Sequence, residues 1–402
     1  MSKLSIARAR GPAFAATAAV GRALAAPGTT SRRSTPAVSA PNLAIVLGLS
    51  FFYKKKLGLY GQLFDSGVGI AGVAICFFWL FTAIFASTIA PFHPLDQVAI
   101  MKDALPGAIE PESHMVYLFG GDKLARDVFS RMVFGSKIVL IIAPAATAFA
   151  LMVGITLGLP AGYYGGRIDS ILSFLANLVL AFPVILLFYL LVTPGIMDTP
   201  IPYGLAGLFF LFPIIFFLTL FWTRFKDRPD RLYLLLGLTI VLGGWVYIGL
   251  VFNADPLGIV SIAPNQLNIF VAVVFASSPG VFRIVRGLVM DIKTRDYVAA
   301  AQTRGESPWY IMLWEILPNA RGPLIVDACL RIGYTTILLG TLGYFGLGLA
   351  PESPDWGTAI KDASRLLRSF IHPALPPTIA LMSFVLGLNL LADALREQSM
   401  KD

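Results

Sequence analysis

Charge is what this sequence has least of. Asp, Glu, Lys and Arg make up 13% of its 402 residues, about half the share of a soluble globular domain. A water-soluble enzyme or binding module is therefore excluded as a description of the whole chain. Cysteine is almost absent too. The only two, Cys76 and Cys329, fall in apolar stretches and read as small core residues, which excludes a disulfide scaffold. The three histidines, His93, His114 and His372, are far apart with no ligand spacing between them, so no metal centre is expected. No G-x-x-x-x-G-K-[ST] phosphate loop occurs, and the Gly-Gly pairs at 120–121, 165–166 and 243–244 lack the strand–loop–helix setting a nucleotide needs. No G-x-S-x-G or Cys/His nucleophile pattern is present. Catalytic, cofactor-binding and metal-ligating residues are accordingly expected to be none. The first 40 residues contain no Asp or Glu and no apolar core of a cleaved secretory signal. They read as a basic, disordered tail, with an organellar transit peptide as the alternative.

Long apolar runs take the place of everything missing. Mean hydropathy is +0.75, and runs long enough to cross a bilayer lie at 68–90, 138–161, 171–193, 204–223, 232–252, 267–289, 323–347 and 373–392. A shorter run, 43–53, ends in Lys54-Lys55-Lys56 and reads as interfacial, within a segment 43–56. The expected fold is an all-α polytopic helical bundle of about eight spans. Basic residues test its orientation. With the N-terminus in the cytoplasm, 22 Lys and Arg fall on the inner side and 8 on the outer, the bias that cytoplasmic loops carry. Both termini are therefore expected inside, and the net charge of +8 needs no nucleic acid to explain it.

The inner loop VAAAQTRGESPWYIMLWEILPN, 298–319, is too polar to be a span. Helix formers run up to Arg304, Gly305 permits a sharp turn, and Ser307-Pro308 reads as N-cap and first residue of a second helix. Trp309, Tyr310, Leu313, Trp314 and Leu317 supply apolar bulk, and Pro318 is expected to end the helix. Two readings stand for this elbow: a docking knob for a cytoplasmic partner, or a re-entrant loop packed on its own protein.

Two further features carry charge where it is costly. Asp327 and Arg331 share a helix face at a spacing of four. They fit either a buried pair lining a pathway or a pair close to the inner headgroups. On the outer side, 119–137 alternates apolar residues with Asp122, Lys123, Arg126, Asp127 and Arg131. It reads as an amphipathic helix on the outer surface, in which Arg126, Asp127 and Arg131 are candidates to touch an external partner; a helix merely packed on its neighbours is the alternative.

The elbow resembles the coupling loop of ABC importer permeases, E-A-A-x3-G-x9-I-x-L-P, through Ala300-Ala301, Gly305 and Leu317-Pro318. RDYVAAAQTRGES and ILPNARGPLIV resemble the C-type permease subunit of dipeptide, oligopeptide and nickel importers. So do IAPFHPLDQ at 89–97, FGGDKLARDVFSRMVFGSKIVL at 119–140, GYYGGRID at 162–169, LAFP at 180–183, LGYFGLGLAPESPDWGTAI at 342–360 and NLLADALRE at 389–397. The pattern is departed from at Ala299, where it has Glu, at Arg304, where an apolar residue is usual, and at Glu315, where it has Ile or His. Ala125 also replaces a Gly.

The resemblance implies a type I ABC importer permease with six family spans, to which about 196–266 adds two more. The chain then divides into a basic tail 1–66; three spans in 67–195 with an outside loop 91–137; an inserted pair 196–266 around the basic loop 224–231; a permease core 267–397 with its coupling loop 294–320; and a tail 398–402. In that loop Ala299, Ala300, Ala301, Arg304, Gly305, Ser307, Trp309, Glu315, Leu317, Pro318 and Asn319 would face a separate ATPase. The implied partners are a sister permease, one or two cytoplasmic ATPase subunits that hold ATP and Mg, an external binding protein and the lipid of a bacterial inner membrane. The implied cargo is short peptides, with nickel or another small solute as the alternative. A secondary transporter or scaffold using no ATP is a third reading, against which the dearth of intramembrane carboxylates counts.

Overall fold

The computed structural model describes residues 66–192, 199–255, 258, 264–347 and 352–399. The expected basic tail, its 43–56 segment and most of the 398–402 tail lie outside these residues. The described chain is helical, as expected: α1 Gly67–Ile84, α2 Val128–Tyr164, α3 Gly166–Ala181, α4 Val184–Val192, α5 Pro200–Phe225, α6 Pro229–Phe252, α7 Pro264–Ile292, α8 Asp296–Thr303, α9 over 308–319, α10 Arg321–Phe345, α11 Trp356–Ser364 and α12 Leu375–Ser399. Sheet is confined, among the described residues, to the antiparallel pair β1 Ala108–Ile109 and β2 Val116–Tyr117. Among the described residues, seven helices are long and apolar enough to cross a membrane, and eight spans result if α3 and α4 count as one.

Two expected elements are corrected. The run 171–193 is not one straight helix: α3 and α4 meet at 77°. Pro183 is the cause. It cannot donate to the helical ladder and drives the preceding residue extended, and Phe182 sits at φ −82, ψ 129. The second correction concerns 119–137. Residues 128–137 are not a separate helix on the surface but the first turns of α2, whose 37 residues extend roughly 55 Å. That exceeds the roughly 30 Å of hydrocarbon, so one end of α2 projects beyond the bilayer. Asp127 starts it as N-cap, its Oδ2 accepting from the Ser130 backbone N–H at 2.8 Å.

Among the described helices, the most extensive contact is α2 against α7. Gly154, Gly158 and Gly162 recur every fourth residue along α2, on one face. They lie against Val281, Val285 and Val289, which recur every fourth residue along α7. A methyl group built on Gly158 would come 2.8 Å from Val285, and one on Gly162 2.7 Å from Val289. Small residues at this spacing let two backbones approach within a membrane, where dispersion rather than water exclusion drives association. Toward the start of α2, the aromatic core joins it to α5 and α7: Phe210 stacks on Phe270 at 5.6 Å and meets Phe149 edge-on at 4.9 Å. Near the start of α2, α11 returns into the bundle with Trp356 fully buried, its indole N–H donating to Met132 O at 2.9 Å.

The glycine ridge sets a measurable limit. Gly158→Leu should lower folding stability by about 1–3 kcal/mol or more through overpacking, whereas Gly244→Leu, with nothing within 4 Å, should leave it nearly unchanged. Thermal melts of the two detergent-solubilised variants check this; equal melts would remove the ridge from its place in the fold.

Candidate functional site

The elbow lies at the far end of α2 from Asp127, where α2 and α7 both finish. Lys293, one residue past α7, donates through Nζ to the carbonyl oxygens of Gly162 at 2.8 Å and Tyr163 at 3.3 Å. A cation there satisfies the open carbonyls of a helix C-terminus and its negative dipole end. Gln302 Nε2 donates to the Tyr163 hydroxyl at 3.3 Å. These three anchoring residues, Lys293, Tyr163 and Gln302, do not stand out in the sequence, because their partner groups are main-chain or remote.

The corner of the elbow is a Schellman turn. After α8, Gly305 N–H bonds Gln302 O at 2.9 Å and Glu306 N–H bonds Ala301 O at 3.2 Å. Gly305 itself has φ 78 and no atom near where a Cβ would stand. The turn thus needs glycine for its left-handed backbone, not for space. Ser307 then caps α9 as expected: its Oγ accepts from the Tyr310 N–H at 3.3 Å, with Pro308 at the first helical position.

Pro318 does not end this helix. After Pro308–Tyr310 the chain widens into a π stretch, Ile311–Ile316, and Leu317–Asn319 follows as a further α turn. In the π stretch Leu317 N–H reaches back five residues to Met312 O, so the register has already shifted where Pro318 brings no donor. The Asn319 side chain donates to Glu315 O at 2.6 Å, adding a bond within the same turn.

The side chains sort into two faces. Val298, Ala301, Ile311, Met312, Leu313 and Ile316 are buried in one cluster with Leu159 of α2, Val281, Val285 and Val289 of α7 and Leu324 of α10, and Trp309, Trp314 and Leu317 pack half-buried against it. The aromatic and aliphatic bulk of the elbow is therefore spent on its own protein, a correction to the reading of these residues, Ala301 included, as a docking surface. The exposed face is small and polar: Ala299, Ala300, Arg304, Gly305, Ser307, Pro318 and Asn319. Two of the departures from the resembled pattern turn out to be partners, for Arg304 Nη2 bonds Glu315 Oε1 at 2.9 Å. Half-exposed at 54% and 25%, this pair contributes below about 1 kcal/mol, but it closes the two arms of the elbow against each other. Nothing in the structure explains Ala299, which is exposed.

Asp327 and Arg331 are brought together on α10, Nε to Oδ2 at 2.5 Å, and Arg331 Nη1 also donates to Ser277 O of α7 at 3.1 Å. Gly280 leaves the space the guanidinium occupies. The two side chains, 15% and 13% exposed, are half-buried where α10 meets α7, and the pair ties these two helices.

The candidates at the other end are not on a surface. Arg126, Asp127 and Arg131 are only 1–2% exposed. Arg126 bonds Asp122 at 2.7 Å and Asp362 of α11 at 2.9 Å, Lys123 bonds Asp362 at 2.8 Å, and Arg131 donates to Ser353 O at 3.1 Å. They hold α11 to the start of α2. Contact of Arg126, Asp127 and Arg131 with an external partner is corrected accordingly: alternation in sequence marks two faces but not which neighbour covers the charged one. Ala125 stands at φ 62, the left-handed region, which accounts for the Gly in the resembled pattern. Burial raises the Asp127 carboxyl above its ordinary range despite the hydrogen bonds from Ser130, and burial likewise raises Asp355. Burial also pushes Asp362 upward, but the hydrogen bonds and charges of Lys123 and Arg126 outweigh it and hold that carboxyl below its ordinary value.

The sign of that last shift gives a test. A depressed carboxyl stabilises the fold fully above its unfolded value, near 3.9, and the contribution disappears as pH falls through the lower folded value. Asp362→Asn should cost about 1–3 kcal/mol at pH 7, with a gap to the parent that narrows below about pH 4. Chemical denaturation at the two pH values checks it; an unchanged gap would place the stabilisation elsewhere.

With this geometry in place, comparison with known proteins is informative. Residues 154–399 match the profile of the binding-protein-dependent transport system inner membrane component. The dipeptide transport system permease protein DppC of Alkalihalophilus pseudofirmus is 27% identical over 338 residues, covering 84% of this chain and 87% of its own. Its counterpart in Haemophilus influenzae is 27% identical over 366 residues, 90% of this chain and 96% of its own. The glutathione transport system permease protein GsiD of Pectobacterium atrosepticum is 29% identical over 278 residues, 69% and 70% of the two chains.

Proposed function

This chain belongs to the binding-protein-dependent transport system inner membrane components, and on that premise we propose that it is the membrane-spanning subunit of an ATP-driven importer of short peptides. It is a multi-pass transport permease that works with an ATPase and a substrate-binding protein. The observation that carries the mechanism is the two-faced elbow. Its apolar side is locked into α2, α7 and α10, while its small, polar side is free to seat in a groove on an ATPase. A force applied to that face reaches three spans at once, because the elbow has no slack: one corner is a Schellman turn and the arms are tied by Arg304 and Glu315.

In this mechanism ATP and Mg act on the partner ATPase. Closure of two ATPase subunits displaces the elbow as a rigid body, and the joined spans switch a cavity shared with a sister permease between inward- and outward-facing states. The differential contacts of the ATPase in its two states supply the energy. The termini and the elbow lie on the cytoplasmic side, as the excess of basic residues there supports. The α5–α6 pair is an addition to a six-span core. The names of the relatives, which specify dipeptides and glutathione, favour peptide over nickel as cargo.

Two experiments test the proposal. Gly305→Val, which forces a β-branched residue into a left-handed conformation costing roughly 1–2 kcal/mol, should abolish ATP-dependent uptake by an assembled complex. Gly305→Asn, which tolerates that backbone, should retain most of it. Equal uptake by both variants and the parent would remove the elbow from coupling. In whole cells, unlabelled di- and tripeptides should compete with a labelled dipeptide, and nickel should not; the reverse order would reassign the cargo.

A further inference from the structure

The α5–α6 pair has no place in the coupling mechanism above, yet the end of α5 grips the elbow. Trp314 of α9 donates its indole N–H to the Thr223 hydroxyl at 3.1 Å. The Arg224 guanidinium lies 5.0 Å from the centre of the same indole ring and donates to the Tyr310 hydroxyl at 3.3 Å. One helical turn and two turns before, Leu220 and Phe216 pack into the cluster that buries Ile311, Met312, Leu313 and Ile316. The opposite end of α5 is fixed as well, since Ala206 and Phe210 are buried with the aromatic core on α2 and α7. A helix of 26 residues, roughly 39 Å long, therefore joins the elbow to the far half of the bundle.

We propose that α5 is a strut that positions the second arm of the elbow, with Thr223 and Arg224 as its positioning residues, and that α5 and α9 move as one body during transport. The chemistry suits that role. A hydrogen bond and a cation over the same indole fix both the height and the tilt of the Trp314 ring. The apolar contacts behind them resist shear, since close-packed side chains have few alternative arrangements. The π stretch of α9 is where such support is needed, because a widened helical turn is less regular than the α-helix around it. Arg224, the first residue of the basic segment 224–231, thus lies in the last turn of α5 and is a partner of the elbow.

This inference rests on the elbow being the coupling element, and its test separates the two. Thr223→Val, Trp314→Phe and Arg224→Ala are each assembled with the ATPase and sister permease in liposomes, and peptide uptake is measured per ATP hydrolysed. Loss of about 1 kcal/mol of positioning predicts roughly a five-fold fall in that ratio, with assembly and ATP hydrolysis retained; Thr223→Ser, which keeps the hydroxyl, should restore it. Wild-type ratios in all three, alongside loss of uptake in Gly305→Val, would overturn the strut and leave coupling by the elbow standing. Intact uptake in Gly305→Val would instead sink the coupling reading, and the strut with it. A second measurement does not depend on weakening the contact. In a Cys76→Ala, Cys329→Ala background, Trp222→Cys and Trp309→Cys line one groove between α5 and α9 and can be bridged by a short bifunctional thiol reagent. Bridged complexes should keep the uptake of the same variant before bridging; arrest of uptake by bridging would show that the two helices move apart, against the proposal.

Discussion

Everything at the elbow depends on the interlock of glycines on α2 with valines on α7. Inside a bilayer, lipid tails are as apolar as any side chain, so helices gain little by merely hiding leucines from each other. They gain by approaching closely. The ridge at Gly154, Gly158 and Gly162 permits that approach over two turns, and it does so just before both helices end. The ends are thereby held side by side, near enough for Lys293 to reach the carbonyls of Gly162 and Tyr163. The floor on which α8 and α9 rest exists because of that proximity.

On this floor the elbow divides its residues by size rather than by polarity alone. Large apolar groups face inward and join α2, α7 and α10; small and polar groups face outward. In the proposed mechanism, an outer face rich in Ala, Gly and Ser accepts close approach by a partner backbone, whereas an aromatic knob would have to be desolvated in two places. The same economy holds at the opposite end of α2, where Asp122, Arg126 and Asp362 spend their charges on fastening α11. Buried ionic groups of this kind cost desolvation and are retained where geometry satisfies them.

Much of this was legible from residues alone. Hydropathy located the spans, and the spacing of Gly305, Ser307 and Pro308 located both the corner and the second helix, since local backbone chemistry decides turns and caps. The glycine ridge went unread: its residues do stand at a spacing of four, but nothing in the sequence says that α7 and not another helix receives them. Other features were out of reach. Whether Trp309 and Trp314 pointed at a partner or at their own protein depended on the position of α2, α5 and α7. That Arg304 would meet Glu315 depended on the angle between the two arms.

The sequence by itself determined the class of molecule, the elements and their caps, because hydrophobic length, proline and glycine act on the chain locally. It also determined the resemblance through motifs that the family shares. The tertiary structure alone decided which face of each element was covered. It turned Arg126 and Arg131 from surface candidates into a buried clamp and Asp127 into a buried helix cap, broke one expected span into α3 and α4, and set the end of α5 against the elbow. The physical reason is common to all three. Burial is a property of two surfaces meeting, and residues as far apart as Thr223 and Trp314 carry no mark in sequence of the neighbour they will find.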